Sequence, residues 1–527
     1  MAISKSQKSL LNLLLYKLIT IGILIFLLLL SYYLPLRLDL SRDRVYSLSE
    51  ASKDAVRQLK DRMIIKIYAS EELPPNLVSL DRYLKDILAE YKLRGGGNFV
   101  YQYVKTESPE QLRALAQQNR LQYMIFQSFD NDQVTQKEVI YGLTLEYQGR
   151  TESITLPPDM ESKLEYVLTN HIRKLSGIRL PELVVYRDST YQYYPTDLLE
   201  IGLDENYLLG STDFNTPPRQ TPVLLFTGTT DSLSTEQLYN LDQYIMKGGK
   251  VVFLQDRLDT DGQSIKNVES NLFTMLASYG IGVNKEMVLD LSCDNRRLGG
   301  STNVPYPIYP VVRGSESHVT TQNIGNIVLY LASEIANLDT LGLEFIPILK
   351  TSANSAKLSG PEFDLQPVLY NRPSLEYFSH PPIVVGAVFK GPMQSYFAAD
   401  QEYSGRAGFV AQNNQAELVI YGDRELMMDP DNTIYTDRNF IVFNAIDYLR
   451  GDESMIRIRS RSIQTSFLDV REYMERKNML WGDPGKTERN IKRTVTIVSV
   501  VIPPMLLMAA IAAYLTVRKR KLRETKV

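Results

Sequence analysis

Cysteine is nearly absent from this chain of 527 residues, in which Cys293 is the single example. One thiol can form neither an internal disulfide nor a thiolate metal cluster, so the sequence excludes a disulfide-stabilised scaffold. A strong charge of one sign is lacking too, because the formal net charge is only −3. The sequence therefore gives no electrostatic reason to expect nucleic acid as a partner.

Nucleotide-binding and catalytic signatures are also lacking. No Walker A sequence and no G-x-G-x-x-G after a strand occurs, which argues against an ATPase. Cys293 stands between Asp290 and Asp294, whose negative charges would raise the pKa of the thiol and disfavour the thiolate. The histidines fit no metal-ligand spacing: they are His171, His318 and His380. We therefore predict no catalytic residue, no metal site and no cofactor.

Two long apolar segments are present, one near each end of the chain. The first, at 10–34, contains one charged residue, Lys17. A lysine near a membrane surface can extend its ammonium group into water, so Lys17 is compatible with a span. The second, at 494–517, has no charge at all. Each is long enough to cross a hydrocarbon layer of about 30 Å, which predicts two transmembrane helices. A cleaved signal peptide is the alternative for the first, although 31–34 resembles no small-residue cleavage site.

Basic residues beside the second apolar segment predict the orientation of the protein. Directly after the segment come Arg518, Lys519, Arg520, Lys521 and Arg523. Such a cluster is typical of the cytoplasmic side. Basic residues also flank the start of the segment, at 486, 489, 492 and 493, so charge alone favours this orientation but leaves the opposite one open. Because two spans put both termini on one side, we expect both in the cytoplasm and the bulk of the chain across the lipid bilayer.

Apolar periodicity and turn signals divide the chain into nine segments. The predicted division is a cytoplasmic N-terminus at 1–9, a transmembrane helix at 10–34, a juxtamembrane segment and helix at 35–61, a thioredoxin-like domain at 62–156, a connecting helix at 157–178, an α/β domain at 179–451, a return segment at 452–493, a transmembrane helix at 494–517 and a basic cytoplasmic tail at 518–527. Within the α/β domain, 295–379 is rich in proline, serine and asparagine and reads as an irregular insertion of loops with some strand.

The segment 62–156 reads as strands and helices in the order β-α-β-α-β-β. The predicted strands are Met63–Ala69, Phe99–Val104, Lys137–Tyr147 and Thr151–Leu156. This order is that of a small thioredoxin-like unit. A redox function would need Cys-x-x-Cys after the first strand, where this chain has only acidic residues, leucine and proline at 71–75. The sequence therefore excludes a redox unit.

The segment 179–451 alternates short apolar strands with amphipathic helices. The predicted strands are Leu183–Tyr186, Val223–Phe226, Val251–Leu254, Ile383–Phe389 and Leu418–Tyr421. Helices are predicted from Ser234, with Gln237 completing a capping box, and over Asn439–Leu449. Fully apolar strands separated by helices predict an α/β fold with a doubly wound parallel sheet.

Polar residues follow three of these predicted strands. They are Thr227, Asp256 and Asp423. In a doubly wound sheet, ligands bind at the carboxyl ends of the strands, so these residues are the candidates for a ligand-facing site. The alternative, which we favour, is that aspartates after strands stabilise turns and helix starts.

Four stretches of the chain resemble the GldG-like auxiliary components of ABC transport systems, known from gliding-motility complexes. They are the segment from Asp39-Leu40-Ser41 to Tyr46-Ser47-Leu48-Ser49, the stretch 233–250 with Gln243-Tyr244 and Gly248-Gly249, Val419-Ile420-Tyr421-Gly422-Asp423, and 439–451 with Asn444-Ala445-Ile446-Asp447-Tyr448-Leu449. The resemblance implies a two-pass protein of the bacterial inner membrane with a periplasmic bulk, an ABC permease subunit and a separate ATPase subunit as partners, and no catalytic residues. It also implies an α/β domain related to flavodoxin-like and glutamine-amidotransferase folds, although the amidotransferase cysteine is lacking.

We therefore expect a non-catalytic periplasmic component of an ABC-type transporter complex, in which other envelope components are further possible partners. One alternative is a structural connector of envelope machinery without ATP coupling, and another is a membrane-anchored hydrolase or amidase. The second apolar segment is the expected contact with the permease, because its prolines free backbone carbonyls and its alanines permit close helix packing. The residues concerned are Pro503, Pro504, Ala509 and Ala513.

Overall fold

The computed structural model of the chain describes residues 47–461, with gaps at 107, 131–132, 188–201, 220–222, 263, 298–302, 339–341, 362, 366–375 and 428–435, and isolated positions within 17–23 and 493–498. The predicted transmembrane helices at 10–34 and 494–517 lie outside the described residues, apart from those isolated positions. Among the helices that are described, none has both the length and the apolar character that a membrane span requires.

The first part of the described chain folds around a five-stranded sheet. Its elements are α1 (Glu50–Arg57), β1 (Met63–Ala69), α2 (Pro75–Gly95), β2 (Phe99–Tyr103), α3 (Pro109–Gln118), β3 (Tyr123–Asp130), β4 (Gln133–Tyr147) and β5 (Arg150–Thr155), and a 3-10 turn then leads into α4 (Leu164–Ser176). Ser49 begins α1 by accepting a hydrogen bond from the Ser52 N–H, as a helix-capping serine does.

In this sheet the strand order is β2-β1-β4-β3, with β5 also paired to β4. β1 and β2 are parallel, whereas β4 runs antiparallel to β1, β3 and β5. The predicted strands are therefore confirmed. β3 was not predicted; it pairs with the first half of β4 and extends that strand to 15 residues.

The second part of the described chain contains more strands than the sequence analysis predicted. Its elements are β6 (Glu182–Tyr186), β7 (Leu208–Thr212), β8 (Val223–Phe226), α5 (Thr235–Met246), β9 (Lys250–Leu254), β10 (Leu258–Thr260), β11 (Ile265–Asn267), α6 (Asn271–Ser278), β12 (Ile281–Asp290), β13 (Cys293–Arg297), β14 (Asn303–Gly314), β15 (Asn326–Val328), β16 (Ser333–Asn337), β17 (Glu344–Lys350), β18 (Ser355–Leu358), β19 (Val384–Gln394), α7 (Gln401–Ser404), β20 (Gln412–Tyr421), α8 (Asp437–Arg450) and α9 (Ser454–Arg459).

A ten-stranded mixed sheet lies at the centre of this part, with the order β13-β14-β17-β19-β20-β9-β8-β6-β7 and β15 beside β14. The strands from β7 to β20 are mutually parallel. On the other side of β20, the strands β19, β17, β14 and β13 follow, and each is antiparallel to the one before it. The chain is thus of the mixed α/β class, and the expectation of a parallel sheet is correct for only half of it.

The segment 295–379, predicted to be an irregular insertion, supplies much of the antiparallel half. β14 and β17 join the main sheet, while β16 and β18 flank β12 in a three-stranded sheet. The prediction of loops with some strand understated the strand content, because prolines interrupt these strands: Pro305, Pro307, Pro310 and Pro347. A proline removes a ladder donor, so strands that contain it read as loops when the sequence is considered alone.

Helices cover both faces of the parallel half. Leu224, Val251 and Phe253 lie in one buried cluster with the apolar sides of α5 and α6. α8 contacts β8, β9 and β20 from the other face, where the Tyr421 hydroxyl donates to the Ile441 carbonyl at 3.1 Å. The capping box of Ser234 and Gln237 is present at the start of α5, as predicted.

Candidate functional site

The three predicted ligand-facing residues follow three adjacent parallel strands, so they lie at one edge of the sheet. Thr227 follows β8, Asp256 comes shortly after β9, and Asp423 comes shortly after β20. The Thr227 hydroxyl donates to the Tyr186 carbonyl at 2.7 Å, which fixes it to the end of β6. We call Asp256, Asp423 and Arg424 the strand-end cluster.

Asp256 is buried, with 2% of its surface exposed. Its Oδ1 accepts the Leu258 N–H at 3.0 Å, and its Oδ2 accepts the Arg424 N–H at 2.8 Å. Burial raises the pKa of this carboxyl, while the Arg424 charge and the two amides act in the opposite direction. The carboxylate therefore joins the turn after β9 to the turn after β20.

Asp423 is completely buried and makes a similar set of contacts. Its Oδ1 accepts the Glu425 N–H at 2.7 Å, and its Oδ2 accepts the Tyr330 N–H at 2.9 Å. The nearest guanidinium nitrogen of Arg438 is 3.9 Å from Oδ2. Burial raises the pKa of Asp423 to about 7 despite the charge of Arg438. Both oxygens are engaged by backbone amides, which is the structural role we favoured for these aspartates.

The Arg424 side chain fills the space above the end of β8. Its Nη2 donates to Asp259 Oδ1 at 3.1 Å and to the Leu258 carbonyl at 3.4 Å. Gly228 has φ +96°, and a Cβ on it would lie 2.3 Å from Arg424 Cγ. Only glycine combines this conformation with such a close approach. The chain's own side chains therefore occupy the edge at which an open doubly wound sheet binds its ligand.

The raised pKa of Asp423 predicts a pH dependence of stability. Because the folded state holds this proton more tightly than the unfolded state, the contribution to stability is complete below about pH 4 and is lost as the pH rises through about 7. Asparagine does not titrate, so the Asp423→Asn variant is the reference. Between about pH 4 and pH 7, we expect the free energy of unfolding of the wild type to fall by up to ~4 kcal/mol relative to that of Asp423→Asn. Urea denaturation of both proteins at several pH values measures it, and parallel curves would contradict the assignment.

Burial changes the pKa of the remaining candidate nucleophile and of one of the histidines. Burial raises the pKa of Cys293, with Asp290 and Asp294 adding to the effect in the expected direction. Burial also lowers the pKa of His171 to about 4. Among the described residues, no three side chains of the His, Cys, Asp and Glu types are grouped so that they could hold a metal ion.

An open groove of about 710 Å³ lies in the first part of the chain, between α3 and the β3–β4 hairpin. Its lining includes three acidic and three basic residues: Glu71, Glu72, Glu138, Lys105, Arg113 and Lys137. Lys137 pairs with Glu72, and Arg113 pairs with Glu138. Sequence reasoning missed this groove because its lining comes from separate segments at 69–72, 104–113, 123 and 137–140, which no local pattern brings together.

A buried glutamate, Glu165, joins the two ends of the main described range, at Ser47 and Arg461. Glu165 is buried in α4, where its Oε1 accepts the Ser49 N–H at 2.7 Å and the Ser52 hydroxyl at 2.6 Å. Arg461 donates to Glu165 Oε2 at 2.7 Å and to the Ser47 carbonyl. We call these residues the Glu165 junction. No local pattern reveals it, because Glu165 and Arg461 are 296 positions apart.

Comparison with known proteins places the strand-end cluster inside a matched region. Residues 190–442 match the family model of an ABC-type uncharacterized transport system. The match covers a little under half of the chain and shows that this part is similar to ABC transport auxiliary components. A second family model, of a domain of unknown function, matches residues 42–146 and so includes α1 and the groove.

A relative that aligns over almost the whole chain has low sequence identity to it. An uncharacterized protein of Borreliella burgdorferi is 21% identical over 504 residues, which covers 92% of this chain and 94% of the relative. Among solved structures, the mmIFT52 N-terminal domain aligns with a TM-score of 0.32 and 13% identity over 51% of this chain and 97% of that one. The exo-beta-1,4-mannosidase Op5Man5 from Opitutaceae bacterium strain TAV5 aligns with a TM-score of 0.23 and 8% identity over 72% of this chain and 48% of that one. Scores this low carry no argument about fold or activity.

Proposed function

We propose that this protein is a non-catalytic accessory component of an ABC-type transporter complex of the gliding-motility, GldG-like kind. Its partners in this proposal are an ABC permease subunit and a separate ATPase subunit. The observation that carries the proposal is the match of residues 190–442 to the ABC-type transport system family. The four sequence stretches that resemble GldG-like proteins support the narrower assignment.

The non-catalytic part of the proposal is supported by the strand-end cluster. A hydrolase or amidase needs a nucleophile or a carboxylate that can reach a substrate. Asp256 and Asp423 are instead buried and accept hydrogen bonds from backbone amides. Cys293 is disfavoured as a thiolate because burial raises its pKa. The first part of the chain, which we take to be a thioredoxin-like unit, has no cysteine at the position of a redox motif.

The proposed location is the bacterial inner membrane, with both termini in the cytoplasm and the bulk of the chain in the periplasm. Two apolar segments and the basic cluster at 518–523 support it. The Glu165 junction is compatible with this arrangement. Ser47 and Arg461, the described residues that lead toward the two apolar segments, both bind there. The two ends of the folded region therefore meet at one place, which suits a protein anchored at both ends.

Contact with the permease is assigned to the second apolar segment. Pro503 and Pro504 have no backbone N–H, so carbonyls one turn earlier lack helical donors. A helix–helix interface covers such carbonyls better than lipid does, and Ala509 and Ala513 permit the close approach it requires. These four residues lie outside the described residues, so this assignment rests on sequence.

Exchange of the second apolar segment tests the proposal. We replace 494–517 by an unrelated single-span helix and isolate each protein in mild detergent. The wild-type protein is expected to copurify with a permease and an ATPase, whereas the exchanged protein is expected to remain in the membrane fraction and lose both. The orientation is tested in intact spheroplasts. A cysteine placed at Ser232 in a Cys293→Ser background is expected to react there with a membrane-impermeant thiol reagent.

The two alternatives give different outcomes. A structural connector without ATP coupling would be recovered without any ATPase even as the wild-type protein. Copurification that survives the exchange would move the permease contact to the folded region. An unlabelled Ser232→Cys protein in intact spheroplasts, labelled only after lysis, would place the bulk of the chain in the cytoplasm and reverse the proposed orientation.

A further inference from the structure

One edge of the five-stranded sheet has no partner among the described strands. The strand order ends at β3, which pairs only with β4. An unpaired edge presents a row of backbone N–H and C=O groups that can bind another strand. The groove between α3 and the β3–β4 hairpin, described above, reaches this strand at Tyr123, which is part of its lining.

The ladder around Ile140 determines which groups of β3 face outward. The Ser70 N–H donates to the Ile140 carbonyl at 2.9 Å, and the Ile140 N–H donates to Ser70 Oγ at 3.0 Å. Ile140 therefore uses both backbone groups on the side away from β3. Tyr123 is its register partner, so the two form a non-hydrogen-bonded pair. The N–H and C=O of Tyr123 point away from β4, and by alternation so do those of Ile125.

Among the side chains of β3 that the structure describes, those of the same two residues are the most exposed large ones. Tyr123 is 54% exposed and Ile125 is 57% exposed. They lie two positions apart, so their side chains are on one face of the strand, the face that also carries Glu138 of β4. A strand that paired with β3 would therefore extend this face and place alternate side chains toward the groove.

The charge of the groove indicates what such a strand carries. Its three acidic and three basic side chains balance, and four of the six are already paired with each other. A strongly charged segment would gain no net attraction here, whereas an uncharged segment with apolar residues at alternate positions would cover Tyr123 and Ile125. Strand addition of this kind takes affinity from main-chain hydrogen bonds and specificity from pockets for alternate side chains.

We propose that the outer edge of β3 binds an extended, uncharged segment of a partner protein, which adds a strand to the sheet through the N–H and C=O groups of Tyr123 and Ile125. This site lies apart from the strand-end cluster. It does not depend on the transport role, because peptide binding is measured on the purified protein whereas the transport role is tested by copurification.

Replacement of Ile125 by proline tests the site with little change to the fold. A proline at this position removes a donor that faces outward and leaves the β3–β4 ladder intact, which edge strands tolerate. As probes we use octapeptides selected from a random display library on the full-length protein in mild detergent. We expect selected peptides to be low in charge and to alternate apolar and polar residues. Their Kd should rise at least tenfold for Ile125→Pro.

Two matched controls separate the lost donor from other effects. Ile125→Thr keeps the N–H and a β-branched side chain, so it should bind the peptides within about threefold of wild type. N-methylation of a selected peptide tests the same hydrogen bonds without any change to the protein. A methyl group on an amide that faces β3 should abolish binding, and one on the next amide along should be tolerated.

Several outcomes would overturn the proposal. One is a selection that yields no peptide, and another is a set of peptides that bind Ile125→Pro as tightly as wild type. Equal effects of N-methylation at successive amides would show that no ladder forms. If the wild-type protein dimerises with increasing concentration and Ile125→Pro does not, the edge belongs to a second copy of this chain instead.

Discussion

Replacement of Arg459 by methionine is expected to lower the free energy of unfolding by about 3–5 kcal/mol, the usual cost of removing one partner of a buried ion pair. The Arg459 guanidinium donates to Asp447 and to the Asn444 side-chain oxygen, and both charged side chains are almost completely buried. It also lies 5.2 Å from the centre of the Tyr166 ring. Methionine restores most of the volume but leaves the Asp447 carboxylate buried. Its remaining described side-chain partners both contact Oδ1: the Tyr207 hydroxyl at 3.1 Å and the Arg450 guanidinium at 3.4 Å, so Oδ2 loses its charged partner.

The same helix provides the control for this experiment. Arg457 in α9 pairs with Glu453, but its side chain is 74% exposed. Arg457→Met should therefore change the free energy of unfolding by less than about 1 kcal/mol. Urea denaturation of the three proteins in detergent, followed by tyrosine fluorescence, gives the comparison. Equal and small effects of both substitutions would show that the Asp447–Arg459 pair does not hold α9 to α8.

Replacement of Gly422 by alanine is expected to cost about 3 kcal/mol, because a methyl group has no space there. A Cβ at this position would lie 2.1 Å from the Ser333 carbonyl oxygen. The two backbones cannot separate easily. The Ser333 N–H donates to the Gly422 carbonyl at 2.8 Å, and the Gly422 N–H donates to the Val385 carbonyl at 2.8 Å. Relief of the clash would break the contact between β16 and the end of β20.

Gly97 serves as the matched position for Gly422→Ala. A Cβ on Gly97 would meet no atom within 4 Å, so Gly97→Ala should change stability by less than about 0.5 kcal/mol. Thermal unfolding in detergent measures both variants, and the Gly422 variant should melt several degrees lower. A melting temperature for Gly422→Ala equal to that of wild type would mean that Ser333 lies farther from β20 than described.

Strands with an uninterrupted apolar run were predictable from the sequence. β8 was predicted with its observed bounds, and β9 and β6 each differ by one residue at the start. These strands are buried on both faces, so their composition alone specifies them. β14 and β17 were not predictable because their prolines interrupt the apolar pattern of a strand. These segments are strands because they pair with each other, and the local sequence does not show that pairing.

The candidate site was predictable only in its location. Asp256 and Asp423 were expected at strand ends and are found there. The amides two residues further on bind both aspartates, which agrees with the favoured role in turns. The second amide that binds Asp423 was not predictable, because it belongs to Tyr330, 93 positions earlier in the chain. The placement of the Arg424 side chain over Gly228 likewise follows from how β8 and β20 are arranged in the sheet, which no periodicity in either strand records.

The Glu165 junction has a mechanical consequence. A pull that draws Ser47 and Arg461 apart acts first on the hydrogen bonds that these segments make with Glu165 and with each other. Arg461 also binds the Ser47 carbonyl directly, and α9 packs on α1 and α4, so all of these contacts join helices and their flanking residues and none is a strand pair. Tension across the ends of the folded region therefore acts on this helical junction before it acts on any strand pair.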